Sequence, residues 1–187
     1  MQKLISIVGP TGSGKSALAL EIAKNYDGYI IVADSRQIYK GMDIGTDKFP
    51  VGSKIQRKKD KVLIDGISHY MIDLINPDEN FTVGEYKSKV DLIIKRKKGH
   101  PILSGGTGLY IQAVIDNYQI PKVEPDYKLR KLLEKKSCVE LTNWLLKLDP
   151  DSLNFVQKHN KRRLVRALEV CLKTGKKFSK LRILKLV

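Results

Sequence analysis

The apolar positions of this chain fall into two regimes. Through residue 120, short β-branched runs alternate with stretches whose apolar residues recur every three or four positions. Leu4-Ile5-Ser6-Ile7-Val8 stops at Gly9, and a run of this kind predicts a strand buried in a parallel sheet. Ser16–Asn25 follows with helix-favouring residues, and Leu18, Ile22 and Ala23 offer its apolar face. Tyr29-Ile30-Ile31-Val32-Ala33 is a second buried strand, ended at once by Asp34-Ser35. Val83, Tyr86, Val90, Ile93 and Ile94 keep helical spacing over 83–98, with a basic last turn and Gly99 just beyond it. Pro101-Ile102-Leu103-Ser104 is a third strand, Gly105-Gly106-Thr107-Gly108 a turn, and helix resumes over Leu109–Val114. The polar stretch Lys54–Lys61 is expected to be a charged, exposed loop.

Beyond Pro121 the strand signals stop. Tyr127–Lys136, Val139–Leu148 and Arg162–Lys173 are amphipathic helical stretches, separated by Ser137, by Asp149-Pro150-Asp151 and by the polar run Lys158–Lys161. Gly175 suits a helix stop. Trp144, Tyr127 and Phe155 are read as core of this helical part. Strand, glycine turn, helix and strand again predict an α/β fold with a parallel sheet over residues 1–120, followed by a small all-helical subdomain over 121–187. Ligands of such sheets gather at the carboxyl ends of the strands. Three strand ends carry polar or glycine-rich turns, at Gly9–Ser16, Asp34–Gln37 and Ser104–Gly108, and they are expected to face one pocket.

Charge sharpens this division. The net charge of +15 is uneven: residues 122–187 hold 18 Lys/Arg against 7 Asp/Glu, whereas the first 121 hold 17 against 13. A basic lobe behind a near-balanced one points to a polyanion, nucleic acid first, or to a solvated lysine-rich surface. The two cysteines, Cys138 and Cys171, have neither metal nor redox spacing and read as reduced residues of a cytosolic protein. Leu4–Val8 is too short for a signal peptide or a membrane span, and no longer apolar segment occurs, so a soluble protein is expected.

Gly9-Pro10-Thr11-Gly12-Ser13-Gly14-Lys15-Ser16 is a complete P-loop between a strand and a helix. Its glycines let backbone N–H groups turn toward phosphate oxygens, beside the N-terminus of the next helix. Lys15 adds a positive charge at the terminal phosphates, and the Ser16 hydroxyl suits Mg²⁺. Taken alone, the loop suggests ATP, but it does not distinguish a nucleotide from another diphosphate. Asp34 suits a general base, a metal ligand, a ribose anchor or the cap of the following turn. Gly105–Gly108 is either a tight turn or a way of placing the Thr107 hydroxyl beside the phosphates. Arg162, Arg163 and Arg166 fall on neighbouring turns of one helix, where they either grip successive phosphates or form a solvated basic face.

In combination these residues resemble the tRNA dimethylallyltransferases, isopentenyltransferases that act on the adenosine next to the anticodon. The resemblance is carried by the P-loop and by Ala33-Asp34-Ser35-Arg36-Gln37-Ile38-Tyr39-Lys40-Gly41-Met42-Asp43-Ile44-Gly45-Thr46. It extends to His69-Tyr70-Met71-Ile72-Asp73, Gly105-Gly106-Thr107-Gly108-Leu109-Tyr110 and Arg163-Leu164-Val165-Arg166-Ala167-Leu168-Glu169-Val170. It implies a P-loop NTPase-like core with a helical insertion. It also implies that Gly9–Ser16 hold the diphosphate of dimethylallyl diphosphate with Mg²⁺ on Ser16, ATP being a competitor for the same nest. Asp34 would be the base for the adenine N6, with Thr107 at the pyrophosphate or the target nucleotide. Asp34, Ser35, Arg36 and Gln37, with Arg162, Arg163 and Arg166, would touch the anticodon stem-loop of tRNA. A cytoplasmic monomer is implied. So is a longer chain, which makes this one read as C-terminally truncated, with 181–187 lacking a counterpart and Phe49–Asp65 longer and more basic than usual. Two other readings share parts of this pattern: a small-molecule P-loop kinase, such as a nucleoside or nucleotide kinase, and a non-catalytic RNA-binding piece.

Overall fold

A computed structural model describes residues 3–118, 121 and 123–181. They divide into two compact units, Met1–Asp116 and Asn117–Val187.

The first unit is α/β. Its strands are β1 (Ile5–Val8), β2 (Gly28–Val32), β3 (Ile55–Arg57), β4 (Val62–Ile64), β5 (Ile67–Tyr70) and β6 (His100–Gly105). They form one sheet in the order β1-β6-β2-β5-β4-β3, with β1, β6, β2 and β5 parallel and the last two strands antiparallel. The helices are α1 (Lys15–Asn25), α2 (Val83–Arg96) and α3 (Gly108–Ile115). The run Tyr29–Ala33 is apolar at every position because both faces of the sheet are covered. Ile30 and Val32 pack with Ala19 and Ala23 of α1 and with Val62, Ile64, Ile72 and Ile102. Tyr29, Ile31 and Ala33 pack on the other face with Tyr86 and Val90 of α2 and Tyr110 and Val114 of α3. There the rings of Tyr86 and Tyr110 stack at 4.0 Å, and the Tyr86 hydroxyl donates to the Val32 carbonyl at 2.9 Å. Helix α2 starts in a capping box, Thr82 with Glu85.

Two expectations change here, and one strand is added. The strand expected over Leu4–Val8 exists, but it is an edge strand. Among the described residues it pairs only with β6, and Val8 is 58% exposed. The expected loop Lys54–Lys61 contains β3 and the start of a hairpin to β4, exposed along β3 as anticipated. Ile55-Gln56-Arg57 is too short and polar to announce a strand, and only its pairing with Val62–Ile64 makes it one. β5 likewise follows from pairing with β2 rather than from any periodicity.

The second unit is helical among its described residues: α4 (Tyr127–Glu134), α5 (Cys138–Leu148), a 3₁₀ turn (Pro150–Asn154), α6 (Lys161–Thr174) and α7 (Phe178–Leu181). Ser137 and Glu140 form a capping box on α5, Asn160 caps α6, and Gly175 ends α6 with φ 65°. Leu133, Leu141, Leu145, Val156, Leu164, Leu168 and Cys171 make the core, with Trp144 and Phe155 packed against it. Tyr127, expected in that core, is 71% exposed, because it opens α4 away from the face that carries Leu129 and Leu133. Of the segment 181–187, positions 182–187 lie outside the described residues.

Two buried carboxylates tie the described interior of this unit: Asp149, which accepts from Ser179 N–H and Oγ at 2.7 Å each, and Glu169. Glu169 accepts from the Asp126 N–H at 2.7 Å, from Arg130 Nε and Nη2 at 2.8 Å each, and from Arg166 Nη1 at 2.5 Å. Burial pushes its pKa up, but these donors outweigh burial and hold it at about 2.

Candidate functional site

The site lies where the parallel strands of the first unit end. Register places Val8 beside Gly105 and Val32 beside Ser104, so the three following loops start level with one another. Gly12 and Gly14 take φ values of 81° and 79°, which L side chains adopt only with strain. They fold Gly9–Ser16 back on itself around the Pro10 carbonyl, which accepts from Ser13 Oγ at 2.8 Å and Lys15 Nζ at 2.9 Å. Ser16 sits half-buried in the first turn of α1.

The second and third loops are bonded together. Gly105 passes so close to β2 that an added Cβ would stand 2.2 Å from the Ala33 carbonyl oxygen. That contact, rather than an unusual φ, is what requires glycine there. Ala33 N–H donates to Ser104 O at 2.7 Å, and Thr107 N–H donates to Ala33 O at 3.0 Å. The Thr107 hydroxyl accepts from Ser35 N–H at 2.9 Å. Thr107 thereby fixes the turn that carries Asp34. Within that turn Asp34 Oδ1 accepts from Arg36 N–H at 2.8 Å and Gln37 N–H at 3.4 Å. Asp34 is thus a turn cap as well as a lining residue, so the capping role left open by the sequence is present.

A small cleft of about 30 Å³ is lined by Lys15, Ser16, Asp34, Gln37, Lys48 and His69, among others. Gln37 donates from Nε2 to the carbonyls of Thr46 and Asp47 at 2.8 and 3.3 Å. Ser35 and Arg36 are exposed beside it.

Lys48 and His69 were not singled out from the sequence. The Lys48 side chain is fully buried, and its Nζ donates to Tyr39 O at 2.7 Å, Asp43 Oδ1 at 2.9 Å and Asp73 Oδ1 at 2.7 Å. Arg57 closes the same pair of carboxylates, 2.9 Å from Asp73 and 3.4 Å from Asp43. Nothing in a lysine among charged neighbours marks such a role in advance. His69 opens the segment His69-Tyr70-Met71-Ile72-Asp73 and is buried, which lowers its pKa, though its contact with the Ile67 carbonyl opposes this.

In the second unit, Arg162 and Arg163 are exposed on the first turn of α6. Arg166, grouped with them from spacing, is turned to Glu169 and to the Val123 carbonyl, 3.0 Å from Nη2. Its guanidinium is engaged within the unit.

A family model described as IPP transferase matches residues 37–184, most of the chain. The chain belongs to the IPP transferase family. It is 43% identical to a tRNA dimethylallyltransferase of Oceanobacillus iheyensis, over 93% of this chain and 55% of that protein. A crystal structure of tRNA delta(2)-isopentenylpyrophosphate transferase from Staphylococcus epidermidis aligns with 39% identity and a TM-score of 0.52, over 95% of this chain and 56% of that one. A eukaryotic dimethylallyltransferase acting on tRNA aligns with 30% identity and a TM-score of 0.76, over 100% and 46% respectively. The chain spans about half the length of the curated relatives it matches. The glycine-rich loop Gly9–Ser16 and the Asp34 turn lie before the matched interval, which begins at Gln37. The relative from Oceanobacillus iheyensis aligns over 182 residues.

Among the described residues no cluster of His, Cys, Asp or Glu suits a tightly held metal. Mg²⁺ keeps several waters and takes few protein ligands beside a substrate phosphate. Ser16, half-buried at the helix start beside Lys15, offers one such oxygen. No helix among the described residues is long and apolar enough to cross a membrane.

Proposed function

We propose that this chain carries the catalytic groups of a tRNA dimethylallyltransferase, which moves a dimethylallyl group from dimethylallyl diphosphate to N6 of the adenosine next to the anticodon. The observation that carries this reading is the bonded junction of the Asp34 turn and the Thr107 loop beside the P-loop. The phosphate-binding loop and a carboxylate face one cleft.

In this reading the N–H groups of Gly12–Ser16 and the Lys15 ammonium bind the diphosphate. Ser16 would hold Mg²⁺ beside the donor, and when bound the ion would supply further positive charge to the leaving group. The N6 lone pair attacks the allylic carbon, the carbon–oxygen bond breaks, and the pyrophosphate departs with its electron pair. Negative charge grows on that leaving group, so donors fixed in advance stabilise the transition state more than the ground state. Asp34 takes the N6 proton while the backbone bonds of Arg36 and Gln37 keep its carboxylate oriented. The target base must leave its stack to reach the cleft. Arg162 and Arg163 contact RNA phosphates, and Arg166 holds α6 in shape. The protein acts as a monomer in the cytoplasm.

Transfer of radiolabelled dimethylallyl diphosphate to an anticodon stem-loop RNA tests the reading. Asp34→Asn should abolish transfer while sparing donor binding, and Lys15→Ala should weaken donor binding. ATP turnover with a small acceptor, indifferent to RNA, would instead identify a kinase. Salt-dependent RNA binding without any transfer would identify a non-catalytic RNA-binding piece.

A further inference from the structure

Two turns near the cleft each hold one β-branched apolar side chain wholly in solvent: Ile44 is 100% exposed and Val51 106%. Neither turn is slack. The Thr46 hydroxyl donates to Met42 O at 2.7 Å and to Asp43 O at 3.1 Å, closing the first turn beneath Ile44. Gln37 and the buried Lys48 tie the same turn to the Asp34 loop and to Asp73. Ser53 N–H donates to Pro50 O at 3.2 Å, closing the second turn beneath Val51. Each of these side chains is unburied among the described residues, which leaves its apolar surface open to a partner.

The surroundings of these side chains are cationic. From Val51 to Lys61 the chain holds Lys54, Arg57, Lys58, Lys59 and Lys61 against Asp60 alone. Asp60 is itself 3.3 Å from Lys97. Arg57 braces the β3–β4 hairpin to Asp43 and Asp73, while Lys54, Lys58 and Lys59 stand exposed. Pairing of Val62 with His69 puts the hairpin's turn, with Lys58 and Lys59, at the carboxyl end of β5, the end of the sheet at which the P-loop and Asp34 also lie, while Lys54, bonded to Asp65, opens β3 at its other end. A duplex hides its base faces in the stack and offers phosphates only. An unpaired RNA loop offers phosphates and apolar base faces together.

We propose that the Met42–Thr46 turn and the Pro50–Lys59 arm form a surface for single-stranded RNA, with Ile44 and Val51 meeting unstacked bases and Lys54, Lys58 and Lys59 meeting phosphates. This gives the basic segment 49–65 a role. It rests on the reading that the substrate is RNA, but it adds a contact outside the cleft. The ordered turns reduce the entropy lost on binding.

The test is fluorescence anisotropy on the full chain, with a labelled stem-loop RNA and a blunt duplex RNA of equal charge. All variants are checked for unchanged melting, which full exposure of these side chains leads one to expect. Ile44→Ser with Val51→Ser should weaken stem-loop binding about tenfold and leave duplex binding unchanged, as expected for loss of base contacts. Lys54→Gln, Lys58→Gln and Lys59→Gln together should weaken both RNAs and flatten the salt dependence by about 2 to 3 units of log–log slope. If the parent binds the stem-loop and both variants bind it equally, this surface is wrong while the proposed reaction stands. If the apolar variant loses loop and duplex binding alike, the base contacts are wrong. If that variant changes sedimentation but not RNA affinity, the turns are a protein contact and the proposal is overturned. If the parent binds no RNA, this surface and the proposed reaction fall together.

Discussion

Arg162→Ala and Arg166→Ala should behave oppositely, although the two residues sit four positions apart on one basic helix. Arg166 makes a charge-assisted bond of 2.5 Å to Glu169 and a second bond to the Val123 carbonyl. Bonds to charged partners contribute about 1.5–3 kcal/mol when fully desolvated. The Arg166 side chain is 32% exposed, so solvent screening trims this. Arg130 remains on Glu169 after the substitution, so the carboxylate is not left unpaired. A loss of about 2 kcal/mol follows, which in a unit of this size lowers its melting midpoint by about 8–16 °C. Trp144 is the chain's sole tryptophan and packs against the core of the second unit, so its fluorescence reports that unit's unfolding. Arg162→Ala and Arg163→Ala, both at exposed positions, should leave the Trp144 transition within about 0.5 kcal/mol of the parent. They should instead weaken RNA binding. Equal melting of the Arg166→Ala and Arg162→Ala proteins would refute the assignment of Arg166 to the Glu169 network.

Gly105→Ala places a Cβ 2.2 Å from the Ala33 oxygen, so urea titration should show a loss of about 1–3 kcal/mol, with donor transfer falling as the two loops part. Thr107→Val leaves the Ser35 N–H without its side-chain acceptor. Stability should drop by about 1 kcal/mol and kcat by more than KM rises, with Thr107→Ser restoring both. Acid should unfold the second unit through Glu169, whose folded-state pKa of about 2 lies below its ordinary value. A depressed carboxylate stabilises the fold above its unfolded pKa, and that stabilisation is lost as pH falls through the folded value. Between about pH 4.5 and 2, Trp144-monitored stability should therefore decline by on the order of 3 kcal/mol. Glu169→Gln should start less stable and flatten that decline; a parental decline in this variant would assign it to other groups.

The elements legible in the sequence were those whose signals are local. Tyr29–Ala33 announces a two-faced strand because Ile30 and Val32 fill one core while Tyr29, Ile31 and Ala33 fill the other. Val83, Tyr86, Val90, Ile93 and Ile94 mark α2 by their own spacing. The P-loop is legible for the same reason, since its glycines set backbone geometry whatever surrounds them. What the sequence concealed depends on partners distant along the chain. β3 is a strand only because of β4, and the edge position of β1 depends on which strands lie beside it rather than on its own residues. Lys48 is indistinguishable from a surface lysine until Asp73, brought back by the fold, stands 2.7 Å away.

Arg166 shows where the two kinds of signal meet. Its spacing from Arg162 and Arg163 suggested one basic face. Leu164, Val165, Ala167 and Leu168 are all buried, however, so the helix turns Arg166 toward the interior rim rather than outward. The clue was the acidic residue three positions on: a buried Glu169 needs cations, and an i,i+3 arginine is within its reach. Charge patterns on a helix are therefore better interpreted after its apolar face has been drawn, because that face decides which cations are free for a ligand and which are spent on the fold.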